Sequence, residues 1–195
     1  MKKLLTVAAS AAILNAVASA VSAQEALTGD TRLACEAILC LSSGTRPGEC
    51  APSLSRYFGI SKKKLSDTIN ARLNFLSLCP VANQTPQMQS LVSAISRGAD
   101  RCDAASLNNS LLVWQGSGEG GTTYISNRMA DYCAAYTGHE YTDFRTSGTL
   151  PRYVGIPERG GYWVEARDYD QALTAYNARI KAEDEARRQA SWGSQ

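Results

Sequence analysis

The chain has 195 residues and carries 20 lysines and arginines against 18 aspartates and glutamates. Two of the cations, Lys2 and Lys3, precede an apolar N-terminal run, so the rest of the sequence is formally neutral. A neutral protein gives no general reason to expect nucleic-acid binding, and nothing after Ala23 is apolar enough to predict a transmembrane helix.

The N-terminus has the pattern of a secretion signal over residues 1–23. Two lysines stand before a mostly apolar run from Leu4 to Val21, and a Val-Ser-Ala sequence ending at Ala23 provides the small residues that signal peptidase reads. We expect cleavage near Ala23 and export to the periplasm, an oxidising compartment. No cysteine stands at the cleavage point, so a lipid anchor is not expected there.

Six cysteines follow the signal, and in an oxidising compartment they are expected to pair. Cys35 and Cys40 lie five residues apart in a predicted helix, so their side chains point apart and favour partners in other segments. Among the many possible pairings we favour Cys40–Cys50, Cys35–Cys79 and Cys102–Cys133, with free buried cysteines as the alternative. A metal site fits poorly, since there is one histidine and no Cys-x-x-Cys pair, and no cofactor is expected.

The first two predicted helices flank a glycine-proline turn. A helix capped by Thr28 or Asp30 runs to Leu41, and its wide apolar surface, extended by Leu39, predicts burial on several sides. A proline then opens a short helix over residues 53–58.

A third helix is predicted with Ser61 as its N-cap, and its inward face is predicted to consist of Leu65, Ile69, Leu73 and Leu76. The run Lys62–Lys64 would then occupy the first turn, where the helix dipole disfavours positive charge. These three cations either meet an acidic partner or form a solvated face.

The segment Leu27–Ile60 reads LTGDTRLACEAILCLSSGTRPGECAPSLSRYFGI, and FLSLCP follows at Phe75–Pro80. Its cysteine spacing, turn and flanking aromatic residues resemble the TrbM/KikA/MpfK family of conjugal-transfer proteins, with a looser likeness as far as Cys133. Those proteins belong to plasmid-borne type IV secretion systems that form mating pairs and transfer DNA between bacteria. The resemblance implies an exported, periplasmic accessory of the conjugation machinery, and it assigns no catalytic residue.

Residues 85–138 predict three more helices and a glycine-rich loop. Thr85 and Asp103 are placed as the caps of the first two helices. Gly116–Gly121, GSGEGG, is the most flexible segment by composition; it lacks the Gly-Lys-Ser/Thr ending of a phosphate loop. A threonine at position 122 or 123 is predicted to cap the third helix.

The pattern changes after residue 138. Two β-like runs around Glu158-Arg159-Gly160 predict a hairpin, whose aromatic residues are Tyr153, Tyr162 and Trp163. These rings either form a groove for wall glycan or peptide or cover the terminal helix, and an exposed hairpin edge could accept a strand from a partner. Asp168 opens a last, amphipathic helix, whose charged end beyond Ile180 is expected to fray or project.

The candidate interaction residues near the cysteine motif are Arg46, on the exposed turn, and Arg56 with Tyr57 and Phe58. Arginine beside aromatic residues is typical of protein interfaces. The alternative is that both rings pack in the core while Arg56 pairs locally with Glu49 or Asp67.

Three residues are candidates for a catalytic group. The catalytic glutamate of a peptidoglycan-cleaving enzyme needs an apolar pocket. Glu119 lies among glycines, so it is not favoured. Glu36 has more apolar neighbours, but no transglycosylase signature surrounds it. His139 follows a helix-ending glycine and is interpreted as a loop residue, without a free cysteine or a Gly-x-Ser-x-Gly elbow to serve.

The sequence therefore predicts a mainly α protein: a signal peptide (1–23), a small disulfide-stabilised helical domain (24–138), and an aromatic-rich segment (139–195) with a possible β-hairpin and a C-terminal amphipathic helix. We do not expect an enzyme. We expect a periplasmic protein that binds components of the conjugation machinery, components of the envelope, or a second copy of itself. The alternative function is a peptidoglycan hydrolase or a glycan-binding module.

Overall fold

The computed structural model describes residues 27–116 and 120–192, so the predicted signal peptide and Glu119 lie outside the described residues. The protein is mainly helical with two small antiparallel hairpins, which confirms the predicted fold class. Its elements are α1 (Gly29–Leu41), α2 (Ala51–Phe58), α3 (Leu65–Leu76), α4 (Pro86–Gly98), α5 (Ala104–Ser110), β1 (Leu112–Gln115), β2 (Thr122–Ile125), α6 (Asp131–Thr137), α7 (Phe144–Ser147), β3 (Arg152–Val154), β4 (Tyr162–Val164) and α8 (Tyr169–Trp192).

Helix α1 begins after Thr28, as predicted, and buries one face against the other helices. Two of its fully buried residues, Ala34 and Ala37, are small, which lets neighbouring helices approach closely. The prediction that Leu39 is buried is wrong, because its side chain is 73% exposed. The apolar stripe of α1 is therefore narrower than its composition indicates.

Helix α3 starts later than predicted. The hydroxyl of Thr68 accepts the N–H of Lys62 at 2.9 Å and holds the preceding turn outside the helix, so Lys62–Lys64 lie before its first turn. Leu76 is buried, as predicted, but Leu65 is exposed and the buried residues include Arg72. The buried face of α3 is therefore rotated relative to the predicted one. The leucine pattern did not indicate that Arg72 would be buried.

A buried cation, Arg72, joins three segments. Its guanidinium donates to a carboxylate oxygen of Asp100 at 2.8 Å and to the carbonyl of Ile60 at 3.2 Å, and it lies 5.0 Å from the ring centre of Tyr57. Burial raises the pKa of Tyr57, whose hydroxyl donates to the carbonyl of Ile95. Because an unpaired buried charge is costly, these contacts fix α2, α3 and the turn after α4 together.

The predicted caps of α4 and α5 are confirmed. The hydroxyl of Thr85 accepts the N–H of Met88, and the carboxylate of Asp103 accepts that of Ser106. Where α4 meets α6, Gly98 lies under the Tyr136 ring, since a Cβ there would be 2.7 Å from the tyrosine Cβ.

The helix predicted from Thr122 or Thr123 is wrong in its first half. Residues 122–125 form β2, which pairs antiparallel with β1 so that Trp114 lies opposite Thr123. Threonine, tyrosine and isoleucine favour strands, and this preference outweighs the helical spacing of the apolar residues. The helix itself, α6, begins only at Asp131. It ends before Gly138, as predicted.

The hairpin predicted after residue 150 is confirmed as β3 and β4. Together with α8 it forms a small second cluster of buried residues: Val154, Val164 and Tyr176. Of the two expectations for the charged end of the last helix, projection rather than fraying applies, because α8 continues to Trp192 with its last residues exposed. Arg159 pairs with Asp184 at 2.6 Å and so ties the hairpin turn to the charged part of the helix.

The main core draws on both predicted segments, since Phe144 and Trp163 pack in the same cluster as Ala37, Tyr57 and Leu107. The division at residue 138 remains a prediction. No helix among the described residues is long and apolar enough to cross a membrane.

Three disulfides cross-link the helices, and they are the three that the sequence favoured. Cys35–Cys79 ties α1 to the end of α3, Cys40–Cys50 closes the loop before α2, and Cys102–Cys133 joins the turn after α4 to α6. The described chain has no free cysteine.

Removing different bridges should cost different amounts of stability. Cys35–Cys79 spans 44 residues and Cys40–Cys50 spans 10. Since loop closure of the unfolded chain dominates, replacing the first pair by serines should lower the free energy of unfolding by about 4 kcal/mol and the second pair by about 2.7 kcal/mol. Urea unfolding of the two double variants measures the difference; equal or reversed losses would contradict this account.

Candidate binding cleft

An open cleft of about 530 Å³ lies among the loop after α1, the turn after α4, α6 and the α7–β3 loop. Its apolar part comes from Tyr136, Phe144 and Leu150, and its charged rim includes Arg46 and Arg167. Tyr136 and Phe144 meet edge to face, with ring centres 5.1 Å apart. The cleft combines an aromatic floor with cations at its mouth.

Asp143 holds the loop that carries Arg46. Its carboxylate accepts the hydroxyl of Ser43 at 2.7 Å and the N–H of Gly44 at 2.6 Å, and its own N–H donates to the carbonyl of Ser42. The first two hydrogen bonds hold the pKa of Asp143 below its usual range. A side chain at position 44 would displace a neighbour, because a Cβ there would lie 2.0 Å from the hydroxyl oxygen of Thr149.

The carboxylates around the cleft serve the structure. Asp100 pairs with the buried Arg72, and Asp103 caps α5. Glu165 accepts the N–H of Ala104 at 2.8 Å, at the start of the same helix. None of the three is therefore a free base poised over the cleft.

The cations at the mouth of the cleft are less committed. Arg46 makes no ion pair among the described residues, and Arg167 makes a long contact of 3.6 Å with its neighbour Asp168. Burial raises the pKa of Tyr136 to about 12, while the nearby Arg46 guanidinium opposes the rise. The Tyr136 hydroxyl donates to the carbonyl of Leu41. Arg46 thus offers its positive charge beside a neutral, buried phenol.

Arg56, the second predicted arginine, lies elsewhere. The alternative that it pairs with Glu49 or Asp67 is wrong. Its guanidinium donates two hydrogen bonds to the carboxylate oxygens of Asp30, at 3.1 and 2.7 Å. It lines a shallower groove of about 410 Å³ between α2 and α3.

The aromatic neighbours of Arg56 belong to the interior. Tyr57 is completely buried, so it cannot form part of a contact patch in this fold, and the alternative of core packing applies to it. Phe58 is half-buried and meets the Tyr57 ring edge to face at 5.2 Å.

The hairpin rings do not form an open groove. Trp163 is 6% exposed, and its indole N–H donates to the carbonyl of Ser126 at 3.0 Å. Tyr153 packs against it and donates to the carbonyl of Ile125, and burial raises the pKa of Tyr153 to about 12. Tyr162 packs beside α8, so the alternative that these rings cover the terminal helix applies to it.

The two catalytic candidates that the structure describes, Glu36 and His139, are each engaged in a local contact. Glu36 lies on the surface of α1 in an ion pair of 2.5 Å with Arg32, away from the cleft. His139 accepts the N–H of Tyr141 and stacks beside that ring. Across the described residues, no group of acidic, histidine and cysteine side chains is arranged to hold a metal ion.

Sequence reasoning missed most of the cleft. It selected Arg46 but not Asp143, Glu165 or Arg167, which come from segments far apart along the chain. Only Asp143 has a local signal in the sequence, since Asp-Phe stands at the start of α7 after a loop. That pattern is too common to predict that Asp143 holds a distant loop.

The fold defines a mainly helical protein that is cross-linked by three disulfides. The TrbM family model matches residues 26–177, so the chain belongs to the TrbM family, which is associated with conjugal transfer and is not known as an enzyme family. No curated protein and no solved structure shows significant similarity to the chain.

Replacing Asp143 by asparagine should loosen the Arg46 loop and lower the free energy of unfolding at neutral pH by about 1 kcal/mol, since charge-assisted hydrogen bonds are lost. The pKa of Asp143 is lowered by folding, so its contribution is present above the unfolded value near 3.8 and is lost as the pH falls through the lower folded value. Unfolding of both proteins between pH 7 and pH 2.5 checks this.

The matched control for Asp143→Asn is Glu140→Gln, which removes an exposed carboxylate that lies in the loop between α6 and α7 and makes no ion pair among the described residues. The control should change stability little at any pH. A difference between wild type and Asp143→Asn that grows on acidification would overturn the assignment.

Proposed function

We propose that this protein is a periplasmic accessory component of a conjugative type IV secretion system and that it acts by binding a partner in the machinery or the envelope. Family membership supports the link to conjugal transfer. Three disulfides fit an oxidising compartment, as the predicted signal peptide requires.

The observation that carries the proposal is the cleft at Arg46. Its carboxylates are engaged in ion pairing and capping, whereas the guanidinium of Arg46 has no ion-pair partner among the described residues. A cation beside an aromatic floor suits a partner segment that presents a carboxylate or carbonyl together with an apolar side chain. The bridge Cys102–Cys133 and the Asp143 contacts keep this surface preformed, which lowers the entropic cost of binding.

Among the described residues, no observation favours the alternative of a peptidoglycan hydrolase. Glu36 is paired with Arg32 on an exposed helix face, and Glu165, the glutamate that does line the cleft, accepts a backbone N–H. A general acid needs a carboxyl group that is free to meet its substrate.

Charge reversal at Arg46 tests the proposed role. A donor strain carrying Arg46→Glu should transfer DNA at least about tenfold less efficiently, because the cleft would repel the group that it now attracts. The protein should reach normal levels, since Arg46 is exposed. Mating frequency with immunoblotting of the periplasmic fraction gives the result.

Arg188→Glu is the matched control, because Arg188 is exposed on α8 and makes no ion pair among the described residues. Its transfer frequency should stay at the wild-type level. Normal transfer with Arg46→Glu, or an equal loss with Arg188→Glu, would count against a binding role for the cleft.

A further inference from the structure

The lysines of this protein are concentrated in one turn. After the predicted signal the chain has four lysines, and three of them are the consecutive Lys62–Lys64 between α2 and α3. All three are exposed, and none makes an ion pair with another described residue. This is an unusual density of unneutralised charge for a chain that is formally neutral after the predicted signal.

The lysine turn borders the groove between α2 and α3. Lys62 and Arg56 line its rim, while Ile60, Phe75 and Leu78 give it an apolar lining. The guanidinium of Arg56 lies over the Phe75 ring, 5.0 Å from its centre. Leu78 is 47% exposed, so an apolar surface remains open to an incoming side chain.

The backbone of this turn is fixed from beneath. The Thr68 hydroxyl accepts the N–H of Lys62, and the buried Arg72 donates to the carbonyl of Ile60. The lysines therefore project from a defined position beside the groove, and binding need not order the loop that carries them.

The charges around the groove favour an anion. Arg56 and Lys62–Lys64 supply four cations, and the nearby carboxylates are Asp30, which is bound to Arg56, and Asp67 at the start of α3. The balance stays positive, so an acidic ligand would be attracted and a basic one repelled.

We infer that this groove binds an acidic segment of a partner protein, with the carboxylates of the segment over Lys62–Lys64 and an apolar side chain against Phe75 and Leu78. The concave shape favours a peptide over a lipid surface, because a bilayer would touch the lysines but could not fill the groove. The site is separate from the Arg46 cleft, so either can fail without the other.

The probe is a fluorescein-labelled peptide in which glutamates surround one leucine and one phenylalanine. Fluorescence anisotropy should show binding by the full mature protein that weakens as salt is raised, since exposed charges are screened. A peptide with glutamine for glutamate, and one with alanine for both apolar residues, should each bind at least about tenfold more weakly, since charge and apolar burial both contribute.

The test variant is the triple change Lys62→Glu, Lys63→Glu and Lys64→Glu, which should abolish binding of the acidic peptide. Its matched control is Arg97→Glu, Lys181→Glu and Arg188→Glu, which changes the net charge equally on exposed residues outside the groove and should bind like wild type. Leu78→Ser should weaken binding while leaving its salt dependence intact.

Two outcomes would overturn the inference. One is an equal loss of binding in the two triple variants, which would show a general charge effect. The other is binding to phosphatidylglycerol vesicles without binding to the acidic peptide, which would identify a lipid-facing surface instead.

Discussion

The three disulfides are the constraint on which the rest of the structure depends. Except for α8, the helices have at most 13 residues, and isolated helices of that length are marginal in water. Several core positions are alanines, among them Ala34, Ala37 and Ala82, which bury little apolar area. The bridges restrict the unfolded chain and so supply stability that such a core would not provide alone.

Within that covalent frame, two polar contacts position the two surfaces that we propose for binding. Arg72 fixes the turn that carries the lysines, and Asp143 fixes the loop that carries Arg46. Both use side chains from one segment to bond the backbone of another, which defines loop conformation more sharply than apolar packing does. The two surfaces thus belong to loops, yet they are held by the helices behind them.

Local patterns in the sequence predicted much of the fold. Caps such as Thr85 and Asp103 and the hairpin at β3–β4 depend on neighbours within a few residues, so they can be predicted. The same reasoning failed for residues 122–130, where helical spacing of apolar residues competed with strand-forming side chains. It also missed the ion pair of Arg56 with Asp30, 26 residues away, because charge patterns do not identify distant partners.

The sequence by itself determined the helical class, the presence of six cysteines after the predicted signal and the arginine at the turn, because spacing and capping are local and cysteines are simply counted. It left the pairing of those cysteines open, and the tertiary structure decided it. Only the tertiary structure decided that Tyr57 and Trp163 lie inside, that Leu39 lies outside and that Asp143 holds a loop 100 residues earlier in the chain. The physical reason is that burial and long-range hydrogen bonds depend on how whole elements pack, and the periodicity of each element leaves that packing open.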